Sequence, residues 1–186
     1  MPVILQSLTK AIFTYHKITI MDPILSPQEV AASCDAARQK IESIYAKCLA
    51  NQLQLHQFSG KNAGDETEIT IQRLQTEVEE WNREYTNEIE RIRLEYNRFM
   101  KQYEVIKENV SAFKDKLETC LDRFNQLTST GSRTQSEETE LRQLLREMEG
   151  FKIREKEINE LKTKCGMVQG QFLLFSDYLK GKGLLY

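Results

Sequence analysis

Apolar side chains recur along most of this chain at alternating steps of three and four residues, the spacing of one face of an α-helix. The first series runs Val30, Cys34, Ala37, Ile41, Ile44, Cys48, Asn51, Leu55 and Phe58. It forms a seam of a and d heptad positions with one polar interruption. Ser26-Pro27-Gln28-Glu29 precedes it. There the serine hydroxyl can satisfy a free N–H, Glu29 can reach back to the cap, and proline suits the first helical position. With Gly60 and Gly64 bracketing a polar turn beyond Ser59, the pattern predicts a helix over 27–58.

Asp65-Glu66-Thr67-Glu68 repeats the cap logic. The seam that follows is Ile71, Leu74, Val78, Trp81 and Tyr85. It resumes four residues later as Ile89, Ile92, Tyr96, Phe99, Tyr103, Ile106, Val110, Phe113, Leu117, Cys120, Phe124 and Leu127. A four-residue insertion in a heptad frame is a stutter, which unwinds a supercoil locally and leaves the helix intact. About 60 residues without Pro or Gly, over 66–128, predict a rod of roughly 90 Å. Residues 129–135 form a linker around Gly131, and either Thr134 with Glu137 or Ser136 caps a third helix over 136–180. Its seam is Leu141, Leu144, Met148, Phe151, Ile158, Leu161, Cys165, Val168, Phe172, Phe175 and Leu179, with a frame shift near Gly150. Lys180-Gly181-Lys182-Gly183 reads as its stop. The expected fold class is therefore all-α, an elongated coiled coil or antiparallel bundle of three helices. The expected organisation is a flexible extension over 1–25, a hairpin with a long central helix over 26–128, and a third helix with an apolar docking segment over 136–186.

Composition narrows the function. The 186 residues include 3 Pro, 8 Gly and 2 His, with 9% aromatic and 29% charged side chains. That disfavours an all-β or low-complexity chain. No apolar run approaches the roughly 20 residues that cross a bilayer. The sequence holds no Gly-rich phosphate loop and no His-x-x-x-His, so no catalytic residue, cofactor or metal ligand is assigned and a non-enzymatic protein is expected. Cys34, Cys48, Cys120 and Cys165 all fall on seam positions, as small buried hydrophobes in a reducing, cytoplasmic or nuclear setting. His56 is expected at a solvated helix end. Residues 1–20 contain Lys10, His16 and Lys17 and no acidic residue. They read as an upstream extension or a targeting segment, although a signal-peptide core and presequence arginines are both missing.

Charge and residue size suggest how the helices pair. A short first connection favours antiparallel neighbours. Placing Cys48 opposite Leu74 sets Ile44 against Val78, Ile41 against Trp81 and Ala37 against Tyr85, small residues facing large ones. The flanks then bring Lys47 to Glu77 and Lys40 to Glu84. Residues 65–90 hold nine acidic and two basic side chains, against an overall balance of 28 to 26. The second half of the long helix and the third helix are mildly basic, and Lys114, Lys116, Lys162 and Lys164 flank their seams. Basic flank against basic flank is a poor intramolecular match. With the aromatic anchors Phe113 and Phe124, and with Phe172, Phe175, Tyr178 and Leu179 near the C-terminus, this half is expected to bind partners by helix-in-groove packing. The alternatives are lysines that simply reach into water and a C-terminal segment that closes the chain's own bundle.

Architecturally the pattern is similar to small coiled-coil subunits of hetero-oligomeric assemblies such as kinetochores, centrosomes, spindles, cilia and vesicle tethers. A scaffold or adaptor subunit, cytoplasmic and cytoskeleton-associated, is the leading expectation. Its partners would be other helical proteins or itself, without a small-molecule substrate. A balance near neutrality disfavours nucleic acid, and a membrane is reached only through the C-terminal segment. The alternative from another class resembles the BAR group, a helical dimer that binds membrane through a basic concave face.

Overall fold

The computed structural model describes residues 25–58 and 65–184. Three helices occupy 93% of them and no strand is present among them. They are α1, Pro27–Phe58; α2, Asp65–Ser129; and α3, Gln135–Gly181. The fold is all-α, with the helices packed against one another. The N-terminal extension, the turn around Gly60 and Gly64, and Leu185-Tyr186 lie outside the described residues.

The ends of the helices follow local chemistry. At α1 the Ser26 N–H donates to Glu29 Oε2 at 3.0 Å, and the Glu29 N–H donates to Ser26 Oγ at 3.1 Å. This reciprocal box satisfies two of the donors that a helix start leaves open. Of the two caps weighed for α3, Thr134 is the one used: its N–H donates to Glu137 Oε2 at 2.7 Å, and the Glu137 N–H donates to Thr134 Oγ1 at 3.3 Å. Arg133 Nε closes the other side of the same turn by donating to the Leu127 carbonyl at 2.7 Å. α3 ends in a Schellman motif. Gly183 takes φ +71°, its N–H donates to Lys180 O, and the Leu184 N–H reaches back to Leu179 O, both at 2.9 Å. A side chain at that φ would be strained, which explains glycine there. α2 runs unbroken through the stutter, as the frame arithmetic requires, and α3 runs unbroken through Gly150.

The chain packs as two compact units, and the division falls inside α2 and α3 instead of at the connections. One unit holds α1, α2 up to Tyr103 and α3 from Glu149. Its core buries Val30, Cys34, Ala37, Ile41, Ile44, Leu74, Ile92 and Phe99 together with Cys165, Val168, Phe172, Phe175 and Leu179. The second unit holds Glu104–Met148, the end of α2 against the start of α3. There Ile106, Leu127 and Leu144 are buried, and Arg123 donates two parallel bonds to Glu140, at 2.7 and 2.8 Å.

One expectation about pairing is corrected, and one point the sequence left open is decided. α1 and α2 are antiparallel, but one helical turn out of the expected register. Contacts from Ser33 to Glu95, Lys40 to Glu88 and Lys47 to the ring of Trp81 advance by seven residues on α1 and retreat by seven on α2. Asn51 with Glu77 continues the series. Lys40 therefore meets Glu88, Glu84 faces solvent, and Lys47 lies 5.9 Å above Trp81 instead of beside Glu77. The small-to-large argument had assumed a two-helix core. In fact Phe172 and Phe175 of α3 fill the same core as Ala37 and Cys34, which frees polar contacts to set the register. The open point concerns α3, which folds back on α2 despite its basic flank, as the expected antiparallel bundle of three helices has it. Ring contacts of Phe172 with Tyr96 and Phe99, at 5.3 and 6.0 Å, hold one stretch, while the lysines point outward.

Candidate interaction site

The first unit carries two constructed features. One is a polar cluster across α1 and α2. Arg91 lies one turn from both Glu88 and Glu95, so its guanidinium can bridge them along the helix. It donates to Glu95 Oε1 at 2.6 Å and to Glu88 Oε1 at 2.7 and 2.9 Å. It also reaches across to α1, donating to Ser33 Oγ at 2.8 Å, while that hydroxyl donates to Glu95 Oε2 at 2.9 Å. Lys40 Nζ adds a contact with Glu88 at 3.4 Å. Burial pushes the Glu88 carboxyl up, but the hydrogen bonds and charges of Arg91 and Lys40 together outweigh it, and its pKa stands below the ordinary range. All these donors and acceptors meet groups of the chain itself, so the cluster acts as a clamp on register.

The second feature is an apolar groove between α2 and α3, about 320 Å³ in volume. Its floor is Ile92, Phe172, Phe175 and Leu179, each 3–5% exposed. Its walls are Ile89, Tyr96 and Ser176, and its rim carries Leu173, 56% exposed, and Arg93. Heptad geometry produces it. Residues 172, 175 and 179 point into the core, so 173 and 176 fall on the neighbouring strip and face outward. A concave apolar surface with one cationic side chain at its edge suits a helix that inserts a large apolar residue.

The residues singled out from sequence are distributed as follows. Of the hairpin set, Ala37, Ile41, Ile44 and Leu74 are buried, Cys48, Val78, Trp81, Tyr85 and Glu77 half-buried, and Lys40, Lys47 and Glu84 exposed. Of the partner-binding set, Phe172, Phe175 and Leu179 are spent in the chain's own core, the alternative in which the C-terminal segment closes the bundle. Tyr178 is half-buried, with the Arg38 guanidinium 5.1 Å from its ring. Phe113 and Phe124 are half-buried on α2, and Lys114, Lys116, Lys162 and Lys164 are exposed. The structure does not gather these lysines: the first two belong to the second unit and the last two to the first. Ser33 and Arg91 went unassigned in the sequence, where Arg93 and Glu95 read only as flanking positions and Leu173 as part of the C-terminal docking segment. Only the Glu88-Arg91-Glu95 spacing was visible there, and Ser33 lies some sixty residues away from its partners.

All four cysteines are free. Burial pushes the Cys34 thiol up to about 11, helped by the carboxylates of Glu95 and Asp35, and burial likewise raises Cys48, Cys120 and Cys165. Such thiols are poor nucleophiles. Among the described residues no group of three His, Cys, Asp or Glu is placed to hold a metal, and no helix is long and apolar enough to cross a membrane. The fold is an antiparallel three-helix bundle with an apolar groove between α2 and α3. Compared with family models, curated proteins and solved structures, the chain matches none.

Proposed function

We propose that the chain is a non-enzymatic scaffold or adaptor subunit of a cytoplasmic hetero-oligomeric assembly, of the cytoskeletal or vesicle-tethering kind, which holds a partner helix in the α2–α3 groove. The groove carries this reading. Its floor is made of well-packed aromatic and aliphatic residues, and Leu173 stands at its edge with more than half its surface in water. A monomeric fold gains nothing from an exposed leucine beside an apolar cavity, whereas a docked helix would cover both. Arg93 at the rim gives an acidic side chain on that helix something to face, which sets orientation more than affinity.

Leu173→Asp tests the proposal. The residue is exposed, so the fold should survive, as an unchanged helical circular dichroism spectrum and melting temperature would show. Quantitative affinity purification with wild type and variant should recover a defined set of proteins that the variant loses. Equal recovery by both would end the groove reading. Co-sedimentation with anionic vesicles, unaffected by Leu173→Asp and weakened by salt, would point to a membrane surface instead.

A further inference from the structure

α1 and α2 extend beyond the end of α3. Lys182, just past α3, lies 5.8 Å from the centre of the Tyr45 ring, so α3 stops level with Tyr45 while α1 continues to Phe58. At 1.5 Å per residue that leaves about 20 Å of α1 packed, among the described residues, on α2 alone. Burial follows the change. On α1, Val30 to Ile44 of the seam are no more than 4% exposed. Beyond them Cys48, Leu55 and Phe58 are half-buried, as are Ile71, Val78 and Trp81 on α2, and only Asn51 and Leu74 between them stay buried.

The strip of α1 that meets α3 through Arg38 and Tyr45 continues, by helical steps, through Leu49, Leu53 and His56. Tyr45, Leu49 and Leu53 are 53%, 47% and 59% exposed. From Cys48 to Phe58 the sequence contains no Asp, Glu, Lys or Arg. A water-facing helix normally carries charge on its outer side, and an uncharged one with exposed leucines is a face that expects cover. The opposing helix is its electrostatic opposite. Residues 65–84 hold seven acidic and two basic side chains. Stepping back from Tyr85, which interacts with Tyr178 of α3, the α3 side of α2 continues as Val78 and Ile71. Glu79 and Glu68, both exposed, border that strip.

We infer that this end of the hairpin is a second docking surface, separate from the α2–α3 groove, for an amphipathic helix of another protein. The seam of that helix covers Tyr45, Leu49 and Leu53, and its flank carries Lys or Arg opposite Glu68 and Glu79. It takes the place along the bundle that α3 vacates. A second copy docking through this same end is a poor occupant, because it would bring one acidic surface against another.

The test uses the full chain and two labelled helical peptides of about three heptads, each with Leu at a and d. One has Lys at the flanking positions and its twin has Glu. Fluorescence anisotropy should show binding of the Lys peptide alone, weakening as salt rises from about 50 to about 300 mM. Leu49→Asp with Leu53→Asp should weaken binding at least tenfold, or about 1.4 kcal/mol. Glu68→Lys with Glu79→Lys should weaken it severalfold, and Leu173→Asp should leave it unchanged. The glutamate pair also serves if the leucine pair unfolds, since both carboxylates are at the surface. Hydrogen exchange should show protection by the peptide confined to residues 45–58 and 68–82. Equal binding of both peptides, indifference to both variant pairs, or protection elsewhere would overturn the inference. So would wild-type self-association in sedimentation that Leu49→Asp with Leu53→Asp abolishes, because the occupant would then be a second copy. A tenfold gain in peptide affinity on deleting residues 1–20 would overturn it too, by making that segment the occupant.

Discussion

Arg91 shows how one side chain can tie two helices together. Its guanidinium satisfies two carboxylates on its own helix and the serine of the neighbouring one. Replacing it by Met keeps most of the apolar stem but leaves Glu88, only 12% exposed, facing Glu95 with Lys40 as its remaining cation. Arg91→Met should cost about 1–3 kcal/mol in urea unfolding at neutral pH. The sign of the pH effect follows from Glu88, whose folded pKa lies below the ordinary 4.5. Its stabilisation is present above that value and is lost as pH falls through the folded pKa. Wild type should therefore shed stability on acidification below about pH 4.5, and Arg91→Met should show a shallower fall there. Gly166 makes a contrasting case, since a methyl built at its α-carbon meets nothing within 4 Å. Gly166→Ala should raise unfolding free energy by about 0.5–1 kcal/mol, measured by the same titration.

At the scale of the element, helix ends were legible because capping is local. Ser26 and Glu29 sit three residues apart in the sequence and bond in the structure for that reason. Register was not legible. The expected pairing of Lys40 with Glu84 and the observed pairing with Glu88 differ by one turn, and heptad periodicity repeats too closely to separate them. A double-mutant cycle decides between them. Coupling of Lys40→Ala with Glu88→Ala should be about 0.2–1 kcal/mol, and coupling of Lys40→Ala with Glu84→Ala should be near zero. Asn51 reinforces the observed register. It is 7% exposed at a seam position, and its amide donates to Glu77 at 2.9 Å, a bond available in few alignments.

At the scale of the molecule, stability should vary along α1. Where α3 is present the α1 seam is fully buried. Beyond Tyr45, where among the described residues α2 alone covers it, only Asn51 stays buried while Cys48, Leu55 and Phe58 are half-buried. Amide exchange in the free chain should therefore be fastest at residues 49–58 and slowest around 34–44 within α1. Uniform protection along the helix would contradict the packing described. The same uneven cover leaves two apolar surfaces of different character, a groove rimmed by Arg93 and an uncharged strip bordered by Glu68 and Glu79.

The amino-acid sequence alone determined the class of fold, the number of helices and nearly every helix end. Those features depend on period, caps and breakers, which act over a few residues. It also marked Cys34 and Cys165 as core positions, whereas Cys48 and Cys120, marked in the same way, are half-buried. Tertiary structure decided what the seams face. Phe172, Phe175 and Leu179 looked like an exposed docking segment because the charges flanking α3 gave no reason for it to fold back. Burying their rings beside Tyr96 and Phe99 removes far more apolar surface from water than solvent-screened lysines oppose. The groove, the Ser33-Arg91-Glu95 clamp and the uncovered end of α1 arise where three helices of unequal length meet, and that meeting depends on contacts between residues distant in the chain.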